Sequence, residues 1–119
     1  MTINEFRKMA LEIPKAVECS HMNHPDFRVA GKIFASLGVP NKDWSMVKLR
    51  PEQQRAFIEK APKIFNPSSG AWGRQGYTSV YLQAAGPRIV RVALSAAAKN
   101  VGSKQKKTPN VERRTSNAQ

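Results

Sequence analysis

A chain of 119 residues, 40% of them hydrophobic, fits one domain with a single continuous core and leaves no need for a second domain. Twenty Lys and Arg residues against eight Asp and Glu give a net charge of +12, which predicts attraction to a polyanion such as nucleic acid, although a basic protein that is merely soluble would share this charge. A single cysteine excludes an internal disulfide, and the absence of a signal-like leader and of an apolar run of about eighteen residues predicts a cytoplasmic protein that does not bind a membrane.

The first predicted element is an amphipathic helix over residues 2–13. Thr2 and Glu5 have the spacing of a capping box. Apolar side chains then recur at helical intervals on one face: Ile3, Phe6, Ala10 and Ile13. Pro14 ends the helix, because the residue before a proline is disfavoured in the helical conformation.

The next segment changes to the two-residue period of strands. Residues 17–21 alternate between apolar and polar side chains and predict one strand. Residues 27–29 and 32–34 predict two more strands, which a tight turn at Ala30-Gly31 joins into a hairpin.

The second half of the chain begins with a strand over residues 44–49. Pro51 then stands at the natural first position of a second helix. Residues 63–76 form a long connection, and residues 77–82, rich in β-branched and aromatic side chains, predict the strand that follows it. A last helix begins at Gly86-Pro87.

This order of helix, strands, helix, strand and helix predicts an α+β fold in which helices pack on one face of an antiparallel sheet. The other face of the sheet would then meet solvent. We expect residues 1–101 to form one domain, and residues 102–119, which are polar, basic and interrupted by proline, to be a disordered tail. Five cations of that tail would add sequence-independent attraction to a polyanion: Lys104, Lys106, Lys107, Arg113 and Arg114.

The stretch that no helix or strand requirement explains is Gly70-Ala71-Trp72-Gly73-Arg74-Gln75-Gly76-Tyr77. Glycine at every third position lets the backbone adopt conformations closed to other residues and come close to a partner. An indole, a guanidinium, an amide and a phenol project from that frame. This chemistry is typical of a recognition loop and equally fits a well-packed turn, so two interpretations are open.

Three segments together resemble a known family. They are His24-Pro25-x-Phe27-Arg28-Val29-x-Gly31-Lys32-Ile33-Phe34-Ala35, then Val47-Lys48-Leu49 followed by a short helix, then Gly70-Ala71-Trp72-Gly73-Arg74-Gln75-Gly76-Tyr77-Thr78. In this order and spacing they are similar to the MmcQ/YjbR family of small bacterial proteins over about residues 3–101. The resemblance implies a fold similar to that of CyaY and frataxin, and DNA binding through a double-wing arrangement. The family motif does not require the basic tail.

A wing that lies along nucleic acid needs cations for the phosphates and a few side chains for the bases. We predict eight contact residues: Arg28, Lys32, Lys48, Arg50, Trp72, Arg74, Gln75 and Tyr77. Arg74 suits guanine and Gln75 suits adenine, while an aromatic ring can stack on an exposed base. The strand cations also fit a solvated surface. Trp72 is favoured as a packed anchor that holds the shape of the loop, with its indole N–H bonded to backbone.

Metal and catalytic chemistry are disfavoured. His21 and His24 lack a third ligand beyond a loose candidate in Cys19, and iron handling of the frataxin kind would need more carboxylates than the first helix has. No Ser-His-Asp order, phosphate-binding loop or close carboxylate pair indicates an enzyme.

We therefore predict a monomeric, non-enzymatic protein that needs no metal or cofactor and binds nucleic acid, duplex DNA in preference to RNA. The alternative is a protein- or ligand-binding module that holds an acidic partner with the same loop. A small enzyme is the less favoured alternative.

Overall fold

The structure, a computed structural model, describes residues 1–21, 24–38 and 41–106. Helices and strands alternate irregularly along these ranges. The helices are α1 (Ile3–Leu11), α2 (Pro51–Lys60), α3 (Gly70–Arg74) and α4 (Pro87–Lys106). The strands are β1 (Val17–His21), β2 (His24–Val29), β3 (Lys32–Leu37), β4 (Trp44–Lys48), β5 (Phe65–Pro67) and β6 (Tyr77–Tyr81). The strands form one antiparallel sheet in the order β1-β2-β3-β4-β6-β5.

The core lies between one face of this sheet and the helices α1, α2 and α4. Alternate side chains of β4 and β6 point into it, because successive residues of a strand face opposite sides. Phe27 of β2, Val47 of β4 and Val80 of β6 have no exposed surface. Phe6 of α1 and Leu94 of α4 meet them from the helices. Each large apolar side chain contributes about 1.5–3 kcal/mol when fully buried. The predicted α+β class is confirmed.

Local sequence signals correctly located the starts of two helices, α1 and α2, and the turn between β2 and β3. The Thr2 N–H donates to Glu5 Oε1 (2.7 Å), and the Glu5 N–H donates to Thr2 Oγ1 (3.1 Å). This capping box lowers the pKa of Glu5, chiefly through the backbone bond from Thr2. Pro51 begins α2. Ala30 and Gly31 have φ of 54° and 81°, as a two-residue primed turn between β2 and β3 requires.

Two segments differ from the sequence prediction by more than a shift of an element's end, such as the first helix ending at Leu11 and the second strand beginning at His24. The connection 63–76, predicted as a loop, contains β5 and α3. Because β5 has three residues and α3 has five, including two glycines, neither has the periodicity or helix propensity that a sequence pattern detects. Helix α4 runs to Lys106, beyond the boundary predicted at residue 101, because Gly102 does not stop it. No helix within the described ranges is long and apolar enough to cross a membrane.

Candidate nucleic-acid interface

The predicted contact residues lie at one end of the sheet. Strands β2 and β3 meet at the pair Val29 and Lys32, next to the hairpin turn. Strand β4 ends and β6 begins at the pair Lys48 and Tyr77. Because β3 and β4 are antiparallel neighbours, the start of β3 and the end of β4 lie at the same end. We call this the basic end of the sheet and define it by eight residues: Arg28, Lys32, Lys48, Arg50, Trp72, Arg74, Gln75 and Tyr77.

Two segments project at the basic end. One is the hairpin turn between β2 and β3, and the other is α3 with Gln75, which precedes β6. About three strand spacings separate them in the sheet, which is roughly 14 Å. Ala30 in the turn has a φ of 54°, a conformation that costs a non-glycine residue about 1–2 kcal/mol. The primed hairpin turn itself requires this conformation, and the turn is a candidate wing because it projects beyond Val29 and Lys32, the last pair of its strands.

Glycines bring the α3 segment close to the sheet. A Cβ at Gly73 would stand 2.0 Å from the carbonyl oxygen of Ser68. A Cβ at Gly76 would stand 2.0 Å from the carbonyl oxygen of Leu49, and the Leu49 N–H donates to the Gly76 carbonyl (3.1 Å). The glycine spacing therefore lets this segment approach its own neighbouring backbone, while the side chains between Gly73 and Gly76 remain exposed.

Gln54 of α2 supports the same segment, and the sequence prediction missed it. Its side-chain nitrogen lies within hydrogen-bonding distance of the carbonyls of Gly73 (3.0 Å) and Tyr77 (3.0 Å) and of Thr78 Oγ1 (3.2 Å). The residue is 7% exposed. A signal was present in the sequence: Gln54 stands three residues before Phe57, four before Ile58 and seven before Ala61, so a polar residue occupies a position on the apolar face of α2.

Trp72 is the most exposed aromatic side chain at the basic end, with 60% of its surface accessible. The expectation that it is a packed anchor is wrong, because α3 turns Gly73 toward the sheet and leaves the indole outside. The indole meets the ring of Tyr77 edge-to-face, with centroids 4.8 Å apart and planes at 88°. Lys48 Nζ lies 5.4 Å from the centroid of Tyr77. Half-buried Tyr77 therefore meets both an exposed indole and a cation.

Arg28 is engaged within the protein. Its Nε donates to Asp26 Oδ1 (2.9 Å) and its Nη2 donates to Asp26 Oδ2 (3.3 Å). The Asp26 residue is 3% exposed, and the hydrogen bond raises the pKa of Arg28. Because Nε and Nη2 of the guanidinium both donate to this carboxylate, Arg28 is less free to bind a phosphate or a base than the other cations of the basic end are.

The remaining cations of the basic end are more open. Among the described residues, no carboxylate forms an ion pair with Lys32, Lys48 or Arg74. Arg50 lies 3.8 Å from Glu52, but both side chains are more than half exposed and such a pair is weak. Of the predicted tail cations, Lys104 and Lys106 belong to α4. The other three lie outside the described residues: Lys107, Arg113 and Arg114.

Residues that could ligate a metal are scattered. In the part of the chain that the structure describes, no three His, Cys, Asp or Glu residues come together. Cys19 pairs with Asp26 across β1 and β2, and His24 is exposed at the start of β2. The buried carboxylate of Asp26 is occupied by a guanidinium.

Comparisons with known proteins agree with this architecture. A family model described as YjbR matches residues 11–97, most of the chain. The crystal structure of Deinococcus radiodurans protein DR2400, with a domain designated DUF419, is similar with a TM-score of 0.71. The similarity covers 92% of this chain and 82% of that chain at 16% identity, which shows the fold alone. A search of curated proteins finds no match.

Proposed function

The chain belongs to the YjbR family, and on that premise we propose that it is a monomeric, non-enzymatic protein that binds double-stranded DNA through the basic end of its sheet. The observation that supports this most is the convergence of three exposed cations at the basic end. Lys32 follows the hairpin turn, Arg74 lies in α3 and Arg50 follows β4. Cations so placed neutralise phosphates and release counterions, which is the main source of affinity for DNA.

The spacing of the two projections suits a duplex. Roughly 14 Å between the hairpin turn and α3 is close to the ~12 Å width of the major groove. Arg74 and Gln75 are both exposed at the tip of one projection. A guanidinium can bind the O6 and N7 atoms of guanine, and a side-chain amide can bind the N6 and N7 atoms of adenine. The hairpin turn then contacts the backbone, and the α3 tip contacts base edges.

Replacing Arg74 with alanine tests this assignment. We expect the variant to bind a preferred duplex site about 5- to 150-fold more weakly, because one base contact contributes about 1–3 kcal/mol. Arg88→Ala is the matched control, since Arg88 is also exposed but lies at the start of α4, near the opposite end of the sheet. Fluorescence anisotropy of a labelled duplex gives both affinities.

The outcomes separate the possible roles of Arg74. An equal loss of affinity on every DNA sequence would make Arg74 a phosphate contact. Equal losses in Arg74→Ala and Arg88→Ala would contradict a localised interface. If the wild-type protein binds no DNA at low salt, an acidic protein partner becomes the favoured occupant of the same segment.

A further inference from the structure

The sheet has an open face on the side opposite the helices. On strands β4 and β6, the residues that alternate with the buried Val47 and Val80 point to this face. These six residues are half-buried, and none is acidic: Trp44, Met46, Lys48, Tyr77, Ser79 and Tyr81. We call them the open-face track. On the neighbouring strand β5, Asn66 pairs with Ser79 and extends the uncharged surface.

An aromatic pair stands at each end of the open-face track. At the basic end, Trp72 meets Tyr77 with ring centroids 4.8 Å apart. At the other end, Trp44 meets Tyr81 with centroids 4.9 Å apart and planes at 39°. Tyr77 and Tyr81 lie four positions apart on one strand, which is about 13 Å. Two π surfaces therefore lie about 13 Å apart along a single strand.

The floor between the two aromatic pairs has no acidic side chain. Met46 and Ser79 face each other there across β4 and β6. A strand of nucleic acid with a rise of about 3.4 Å per nucleotide would span 13 Å with about four nucleotides, and an unstacked strand with fewer. Lys48, beside Tyr77, supplies positive charge for a phosphate at the basic end of the track.

We propose that the open-face track holds a short single-stranded segment of nucleic acid. Bases stack on the aromatic pair at each end, and the backbone of the segment continues to the cations of the basic end. The proposal rests on the proposed function and adds that the bound DNA has unpaired bases next to its duplex. Stacking on aromatic side chains contributes about 1–3 kcal/mol per base and tolerates any sequence.

Charge and polarity favour this occupant over a protein segment. An apolar helix would bury the ammonium group of Lys48 and the hydroxyl group of Tyr81, which lies 3.4 Å from Gln83 Oε1, against apolar side chains. A polyanion with aromatic bases complements the cation and the rings alike. The nearest acid along the chain, Asp43, adjoins the far end of the track and accepts a hydrogen bond from Gln83 Nε2 (3.1 Å).

The two tryptophans of the chain allow a direct test, because one stands at each end of the track. In the full-length protein, Trp44→Phe leaves the indole of Trp72 as the reporter, and Trp72→Phe leaves that of Trp44. Each variant is titrated with a blunt duplex, with the same duplex extended by about eight unpaired thymidines, and with the thymidine strand alone. A poly-glutamate peptide serves as the base-free control, because it carries negative charge without bases.

We expect the extended duplex to bind at least about fivefold more tightly than the blunt one, and the unpaired strand to quench both tryptophans. If the blunt duplex binds equally well and neither tryptophan is quenched by the extension, this inference is overturned while the proposed function stands. Quenching of Trp72 alone would show that the unpaired strand does not reach Trp44 along the open-face track, and it would overturn this inference. If no DNA binds and poly-glutamate quenches instead, the inference and the proposed function both fail.

Discussion

Replacing Gly76 with alanine is expected to lower the free energy of unfolding by about 3 kcal/mol or more. Two costs add. The new Cβ would stand 2.0 Å from the carbonyl oxygen of Leu49, so the backbone after β4 must shift. The φ of Gly76 is 106°, which side chains with a Cβ rarely adopt. Urea unfolding followed by circular dichroism measures the change.

Gly102→Ala is the matched control for that substitution. A Cβ at Gly102 meets nothing within 4 Å, and the residue lies inside α4, where alanine is favoured over glycine by about 1 kcal/mol. We expect this variant to be at least as stable as the wild-type protein. The close approach of Gly76 to Leu49 is contradicted if both variants unfold at the same urea concentration.

Changing Gln54 to glutamate is expected to lower the free energy of unfolding at pH 7 by about 3 kcal/mol or more. The amide nitrogen lies against the carbonyls of Gly73 and Tyr77 in a buried site. A carboxylate has only acceptors, so its charge would face those carbonyl oxygens without a donor. The measurement is urea unfolding over a range of pH.

The same variant has a defined pH dependence. Burial and the facing carbonyl dipoles raise the pKa of a carboxyl at position 54 in the folded state above its value in the unfolded chain, about 4.3. The loss of stability is therefore full above the raised pKa, shrinks as the pH falls through that window, and is largely gone below the unfolded value. A protonated carboxyl can again donate to the carbonyl of Gly73.

The neighbouring residue supplies the control for Gln54→Glu. Gln53 uses its Oε1 atom as an acceptor, from the Arg50 N–H (2.9 Å) and from Asn100 Nδ2 (2.7 Å). A carboxylate keeps both bonds, so Gln53→Glu is expected to cost less than about 1 kcal/mol. Losses of the same size at the two positions would show that Gln54 is not a buried donor.

Much of the frame could be predicted because its signals are local. Thr2 and Glu5 form their capping box within four residues, and Ala30-Gly31 forms its turn between two adjacent strands. Pro51 suits the first position of a helix, because its fixed φ is helical and the missing N–H has no partner there. These features depend on neighbours in sequence, so the order of the longer elements and the α+β class followed from them, whereas the short β5 and α3 did not.

The environment of the segment Gly70–Tyr77 could not be predicted, because it depends on contacts between residues that are distant in sequence. Trp72 is exposed because Gly73, and not the indole, packs against Ser68. The helical spacing of α2 marked Gln54 as a polar residue on an apolar face, but its acceptors lie in a segment that begins nineteen residues later. A sequence pattern indicates that such a residue needs a partner and does not identify the partner.

The ion pair of Arg28 lay within reach of sequence reasoning. Asp26 and Arg28 are two residues apart in one strand, so their side chains share a face. A carboxylate and a guanidinium in that arrangement satisfy each other before they meet any partner. Arg74 and Lys32 form no ion pair with a carboxylate among the described residues. The proposed interface therefore depends on these two cations more than on Arg28.

The salt dependence of duplex binding tests the interface most directly. The double variant Lys32→Ala/Arg50→Ala removes two exposed cations of the basic end that the proposal places on phosphates, and Lys8→Ala/Arg88→Ala removes two exposed cations near the opposite end of the sheet. In a titration at several salt concentrations, the plot of log K against log salt should be less steep by about 1.8 for the first variant, at about 0.9 per phosphate contact, and unchanged for the second. Equal slopes for the two variants, or a wild-type affinity that does not depend on salt, would contradict DNA binding through the basic end.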